Sequence, residues 1–250
     1  MENLVVCMGK GARRDAAEAL ARHVDAPLSE KPGEQLTLLM NGEGLFLTGY
    51  GLSYRGDFEQ MLHRISDGRL QHEMLVRVAK TKAVCPKAID ATAGMGEDSL
   101  LLAACGYEVT LYEQNPVIAA LLRDALRRAR KHPTLAQIVE RMHLVEGNSI
   151  DQMPKQLESP DLIYLDPMFP ARQKSGLINK KLQLIQKLER PCVDEKLLFH
   201  AAMQAHPKKI VVKRPLKGAC LAEAEPNYTV KGKAIRYDCY VQGNLSDKGL

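Results

Sequence analysis

The sequence predicts an α/β protein: a mostly parallel sheet ending in an antiparallel hairpin, with a small α/β appendage at the N-terminal end. Three observations support this. From Ala83 onward, strand-type and helix-type runs alternate, the pattern of right-handed crossovers and a parallel sheet. The last runs alternate apolar and polar residues on either side of Lys231-Gly232-Lys233, as an antiparallel hairpin does. The first 60 residues differ in texture from the rest, with short apolar runs set between glycines. The expected division is therefore 1–68 for the appendage and 69–250 for the main domain.

In the appendage, Leu4–Met8, Gln35–Met40 and Gly44–Thr48 read as strands, and Arg14–Ala21 reads as a helix. Gly42, Gly44, Gly49, Gly51 and Gly56 punctuate the stretch as turns. A lead-in helix over Arg69–Lys82 hands the chain to the main domain. There Ala88–Thr92 is a strand followed by a helix over Ser99–Cys105, and Glu108–Glu113 a strand followed by a helix over Pro116–Arg130. Leu144–Glu146 and Asp161–Asp166 are the next strands. Helices near Leu177–Glu189 and over Glu195–Gln204 precede the strand Lys209–Val212. A hairpin from Tyr228 to Val241 closes the order.

Composition narrows the class. A chain of 250 residues, 45% hydrophobic and 26% charged, can bury a full core. A net charge of +5 is mildly basic and compatible with a nucleic-acid partner. The six cysteines are scattered without a Cys-x-x-Cys pair, and no His-x-x-x-His occurs, so neither a disulfide framework nor a zinc site is expected. Leu4–Met8 is too short for a membrane span or a signal segment. A cytoplasmic, reduced, metal-free protein with no membrane role is expected. The oligomeric state is not legible.

The most informative stretch is Asp161-Leu-Ile-Tyr-Leu-Asp166-Pro167-Met168-Phe169-Pro170. Pro167 cannot donate to a ladder, so the strand ends at Asp166. This leaves an acid and an aromatic at a strand's carboxyl end, where open α/β sheets bind ligands. Such a turn suits a planar base bearing an exocyclic amine, with the acid accepting its hydrogens and Phe169 stacking on the ring. Upstream, Asp90-Ala-Thr-Ala-Gly94-Met-Gly96-Glu97-Asp98-Ser99 joins a strand to a helix through a glycine turn. Glu113 closes the next strand roughly 20 residues past Gly94, the distance at which a carboxylate reaches ribose hydroxyls.

Dehydrogenases share that pattern, but two features point away from them. Ser99 stands where the dinucleotide fingerprint wants glycine or alanine, and Glu97 and Asp98 would repel a pyrophosphate. S-adenosylmethionine (SAM) carries a ribose, a sulfonium and an amine but no phosphate, so it suits an acidic turn.

The three blocks Asp90–Asp98, Tyr112–Val117 and Tyr164–Pro170 resemble the motifs of class I methyltransferases. Together with Val211-Val-Lys213-Arg214-Pro215, they resemble the RsmJ (YhiQ) family, bacterial methyltransferases of guanine N2 in 16S ribosomal RNA. The resemblance runs from Ala83 to Val241. It implies a Rossmann-like class I fold, SAM as cofactor, and 16S rRNA or the small ribosomal subunit as partner. It implies cofactor contacts at Asp90, Gly94, Gly96, Glu97, Asp98, Glu113, Gln114, Asn148, Ser149 and Asp166. Asp166, Pro167 and Phe169 would form the catalytic turn.

Arg172 and Lys174 follow that turn, and Lys213 and Arg214 end the next strand, so all four are candidate RNA-phosphate contacts. An amino-methyltransferase of DNA or protein, and a non-catalytic RNA-binding module on the same fold, are the alternative readings. The second has no use for an intact glycine turn, Glu113 and Asp166.

Overall fold

The structure, a computed structural model, describes residues 4–32, 36–167, 184, 185, 188 and 194–241. A first group of strands comprises β1 (Leu4–Met8), β2 (Leu28–Ser29), β3 (Leu36–Asn41), β4 (Gly44–Gly49) and β5 (Leu52–Tyr54). They form a sheet of order β2-β1-β3-β4-β5. β1 runs parallel to β2 and β3, and β3, β4 and β5 continue as an antiparallel meander. β2 and β5 are too short to show as a period-two pattern and are not anticipated from the sequence.

The second group comprises β6 (Lys87–Asp90), β7 (Glu108–Glu113), β8 (Met142–Glu146), β9 (Leu162–Leu165), β10 (Lys209–Pro215), β11 (Tyr228–Lys231) and β12 (Ile235–Val241). Its order is β11-β12-β10-β9-β6-β7-β8. β6 to β10 are parallel, whereas β12 is antiparallel to both β10 and β11. From β6 the chain steps outward through β7 and β8, then returns to lay β9 on the other flank of β6. That reversal is a topological switch point, and ligands of open α/β sheets bind at the carboxyl edge there.

The helices whose bounds are described are α1 (Arg14–His23), α2 (Leu62–Ile65), α3 (Met74–Ala79), α4 (Glu97–Ala104), α5 (Pro116–Ala129), α6 (Ala136–Val139), α7 (Ser149–Gln152) and α8 (Glu195–Gln204). The lead-in helix expected over Arg69–Lys82 is instead broken. A 3-10 turn, Leu70–His72, stops at Glu73, whose backbone is extended, and α3 begins after it. Glu73 gives up helical geometry while its carboxylate takes two hydrogen bonds from Arg64, at 2.8 and 2.7 Å. Of the helix expected near Leu177–Glu189, only Leu184, Ile185 and Leu188 are described, and all three are buried.

Helices cover both faces of the second sheet, so β9 is buried throughout, as the continuous apolar run of a parallel strand requires. Leu162 and Tyr164 join a core with Leu100, Leu101 and Val109. Ile163 and Leu165 face a separate core holding Phe199 and Tyr240, whose rings meet edge to face at 4.8 Å. A third core joins the first sheet to the main body, with Val6, Leu38 and Leu47 packed against Val117, Ile118 and Leu121 of α5.

One carboxylate secures that junction. Asp124 on α5 accepts hydrogen bonds from the Leu45 N–H at 3.0 Å, Arg128 Nε at 2.8 Å and Arg127 at 2.7 Å. Arg128 also donates to the Gly56 carbonyl. Burial pushes the Asp124 carboxyl up, but the bonds from Arg128 and Arg127 outweigh it and hold the group below its ordinary value. Its contribution to stability is therefore present above the unfolded carboxylate range and lost as pH falls through the lowered value. Asp124→Ala should cost about 3 kcal/mol in chemical denaturation at neutral pH. The gap from wild type should narrow below about pH 4.

Candidate active site

The site is built on the carboxyl edge at the switch point. β6 ends at Asp90 and the chain turns through Gly94 and Gly96 into α4. Gly94 and Gly96 have φ of +52° and +76°, in the left-handed region open to glycine. At Gly96 a Cβ would also lie 2.9 Å from Leu122 Cδ1 and 3.3 Å from Phe58 Cζ. A side chain there would force Leu122 to shift.

Asp90 is only 1% exposed. It accepts hydrogen bonds from Ser99 Oγ at 2.5 Å and from the Thr92 N–H at 3.1 Å. Burial pushes its carboxyl up to about 7 against both bonds. Asp90 thus ties the turn to the first turn of α4 from inside. Ser99, legible in the sequence only as a departure from the dinucleotide fingerprint, is the other half of that tie.

Glu113, at the end of β7, takes one backbone N–H on each oxygen: Gly94 at 3.0 Å and Asn115 at 2.7 Å. Burial raises its carboxyl, opposed by those bonds. Gln114 beside it is exposed. The Glu113 carbonyl accepts from Gly147 at 3.0 Å, which brings the end of β8 alongside. There Asn148 caps α7 by accepting from the Ile150 N–H at 3.0 Å, and Ser149 is buried. Glu97 is exposed on the first turn of α4.

Asp98 and Asp166 meet across a lysine. Lys213 Nζ lies 2.9 Å from Asp98 Oδ2 and 2.9 Å from Asp166 Oδ2. The Tyr164 hydroxyl donates to the same Asp98 oxygen at 2.6 Å. The Asp166 N–H donates to Thr92 Oγ1 at 2.7 Å, which pins the end of β9 to the glycine turn, and Pro167 behind it is buried. Burial raises the Asp166 carboxyl, Lys213 opposes the rise, and Asp98 adds to it. Burial alone would lower Lys213, but the two carboxylates outweigh it and hold the ammonium above its ordinary value.

Three comparisons complete the picture. The SAM-dependent methyltransferase family model matches residues 28–242. Ribosomal RNA small subunit methyltransferase J of Thioalkalivibrio sulfidiphilus is 39% identical over 92% of this chain and 94% of its own. Its namesake from Nitrosococcus oceani is 36% identical over 96% of this chain and 99% of its own. The chain belongs to the ribosomal RNA small subunit methyltransferase J family. In structure it is similar to a SAM-dependent methyltransferase from Neisseria gonorrhoeae, with a TM-score of 0.77 and 31% identity over 98% of this chain and 99% of that one. The class I fold implied by the motifs is the fold observed.

The donor set fits the family's cofactor. Glu97, Asp98, Glu113 and Asp166 gather on this edge, and the ammonium among them, Lys213, is already shared by two carboxylates. A phosphate would meet repulsion here, whereas a sulfonium, an amine and ribose hydroxyls would not. Each Glu113 oxygen, holding one N–H, retains a lone pair for a hydroxyl.

Two expectations are corrected by this geometry. Lys213, a phosphate contact by the sequence reading, is held inside the acidic cluster. Arg214 is 4% exposed, donating to the Ala219 carbonyl at 2.7 Å and to Glu195 at 3.1 Å, so it secures β10 against α8 and the loop that follows. Phe169, Arg172 and Lys174 lie outside the described residues.

Thr92, Ser99 and Tyr164 are not anticipated as parts of the site. Tyr164 carries a signal, since it shares a strand face with Asp166 at i, i+2. Thr92 and Lys213 become legible only once β9 is known to lie between β6 and β10. Gly96→Ala would impose left-handed backbone costing about 1–2 kcal/mol, besides the clash with Leu122. Calorimetric titration should show SAM affinity reduced by about tenfold or more.

Proposed function

We propose that this enzyme transfers a methyl group to the exocyclic N2 of a guanine in 16S ribosomal RNA, acting in the cytoplasm on free rRNA or on the small subunit. Relatives carrying the name ribosomal RNA small subunit methyltransferase J support the substrate class. The observation that carries the chemistry is the state of Asp166. One of its oxygens is committed to Lys213 and its N–H to Thr92. Lys213 therefore holds the carboxylate in one rotamer, and among the described residues no donor takes Oδ1.

Bound SAM supplies an electrophilic methyl on a cationic sulfur. The target amine is a poor nucleophile because its lone pair is delocalised into the guanine ring. In our reading, Asp166 Oδ1 and the Pro167 carbonyl accept the two amine hydrogens. This localises the lone pair and directs it at the methyl, while Phe169, three residues on, stacks on the base. Arg172 and Lys174, which follow in sequence, would hold flanking phosphates. In-line alignment of this kind can supply roughly 7–11 kcal/mol. The amine proton leaves after transfer, to Asp166 or to water.

The test is transfer of labelled methyl to small-subunit rRNA from cells lacking the enzyme, with nucleoside analysis. N2-methylguanosine is the expected product. Label in another nucleoside, or only in DNA or protein, would replace the guanine assignment. Asp166→Ala should lower kcat by about a hundredfold or more while SAM affinity falls much less. An equal loss of both would make Asp166 a cofactor ligand alone.

Lys213→Met removes the charge that opposes the burial-driven rise at Asp166 and leaves Asp98 repelling it. The Asp166 carboxyl should then protonate at higher pH, and because the acceptor must be ionised, the acid limb of the kcat profile should move to higher pH. Lys213→Arg should move it back. An unmoved limb in Lys213→Met would show that Lys213 serves packing only.

A further inference from the structure

The carboxyl edge continues past the acidic cluster into a surface of opposite sign. β10 runs directly on from Lys213 into a tight turn, closed by a hydrogen bond from the Gly218 N–H to the Pro215 carbonyl at 2.9 Å. Lys217 is exposed on this turn. Because β12 is antiparallel to both β10 and β11, the turn that joins β11 to β12 falls at the same end of the sheet as the end of β10, with Pro215 opposite Ile235 and Lys231 opposite Arg236. Lys231 and Lys233 are exposed there. The two turns are joined, the Leu216 N–H donating to the Ala234 carbonyl at 3.3 Å.

This platform is rigid. The Arg236 Nη1 donates to the carbonyls of Pro215, Leu216 and Gly218 at 3.0, 3.1 and 2.7 Å, and Asp238 neutralises the guanidinium from below. The hairpin turn rests on the start of α3, since a Cβ at Gly232 would lie 2.9 Å from Met74 Cε. That packing extends the rim to the segment before α3, where Arg69 is exposed. The acids on that segment are Asp67, which is exposed, and Glu73, which is paired with Arg64.

Among the described residues, Lys217, Lys231 and Lys233 have no carboxylate within salt-bridge distance. Lysines at the opposite, amino edge of the same sheet are engaged. Lys87 pairs with Glu158, Lys208 pairs with Asp161 at 2.7 Å, and Lys209 donates to the Val78 carbonyl at 2.9 Å. Cations left unpaired on held turns, beside an active-site edge rich in carboxylates, fit a polyanion that must approach that edge without entering the acidic pocket.

We infer that Lys217, Lys231 and Lys233 form a phosphate-binding rim that grips the RNA backbone next to the guanine delivered to Asp166. The inference rests on the rRNA reading above. The rim divides the work of recognition: the backbone is held on the β10–β12 side, and the base alone crosses into the site. Such contacts position the strand without reading its sequence.

The test uses the full chain and protein-free small-subunit rRNA from cells lacking the enzyme, titrated across a salt series. Each single-strand phosphate that a cation neutralises adds roughly 0.7 to the slope of log affinity against log salt. For K217E/K231E/K233E, which frees three phosphates, that slope should therefore fall by about 2. Affinity near 0.1 M salt should fall by about tenfold or more, and KM for rRNA should rise in step. SAM affinity and the circular dichroism spectrum should match wild type. K217Q/K231Q/K233Q, which removes charge without reversing it, guards against misfolding; its slope should fall by the same amount and its affinity should lie between wild type and the glutamate variant. Unchanged affinity and slope in the folded triple variants would overturn the rim. Wild-type protein that neither binds nor methylates this RNA would overturn the rRNA reading itself, and the rim with it.

Discussion

The ammonium of Lys213 is the interaction on which the carboxyl edge depends. Two carboxylates, one from the first turn of α4 and one from the end of β9, approach a single nitrogen at 2.9 Å each. Without that charge the two carboxylates would repel one another inside a half-buried crevice. With it, the glycine turn, β9 and β10 are drawn together, and Lys213 opposes the rise that burial imposes on the Asp166 carboxyl. The lysine comes from β10, the strand reached after the chain has crossed to the far flank of β6. The cluster therefore closes only when the parallel sheet is complete.

Around this centre the charge is arranged in zones. The crevice is acidic, and the tie between Asp90 and Ser99 beneath it is shielded from water. The zoning suits a cofactor whose reactive sulfur is positive and which carries no phosphate. Under the function proposed above, the RNA backbone would stay outside this zone and only its uncharged base would enter. A uniformly basic cleft would attract the RNA backbone to the place the cofactor needs.

Much of this is legible in the residues. Pro167 fixes where β9 ends, and Gly94, Gly96 and Glu113 mark the glycine turn and the carboxylate that holds it, through backbone geometry and spacing. The boundaries of Leu4–Met8, Glu108–Glu113 and Glu195–Gln204 follow from pattern and caps, with Asp194 capping α8 as its type suggests. What escapes is whatever depends on pairing across the sheet. Lys213 and Arg214 look alike in sequence, two adjacent cations at a strand end. Alternation sends one to the acidic crevice and the other to Glu195, and neither to solvent. The break at Glu73 escapes for a similar reason: its partner, Arg64, lies on another element, and no local propensity reports it.

Helix α5 serves as a ruler. At its start, the Asn115 N–H donates to the Glu113 carboxylate, and further along Asp124 accepts the N–H of Leu45 from the first sheet. Each added or deleted residue in an α-helix changes the separation by about 1.5 Å and turns the far end by roughly 100°. A one-residue change between these two points would swing Asp124 away from Leu45 while leaving the crevice end in place. The stretch from Asn115 to Asp124 is therefore a part whose length cannot drift on its own. Lengthening it requires a matching change in the first sheet, so the two sheets must evolve as a fitted pair.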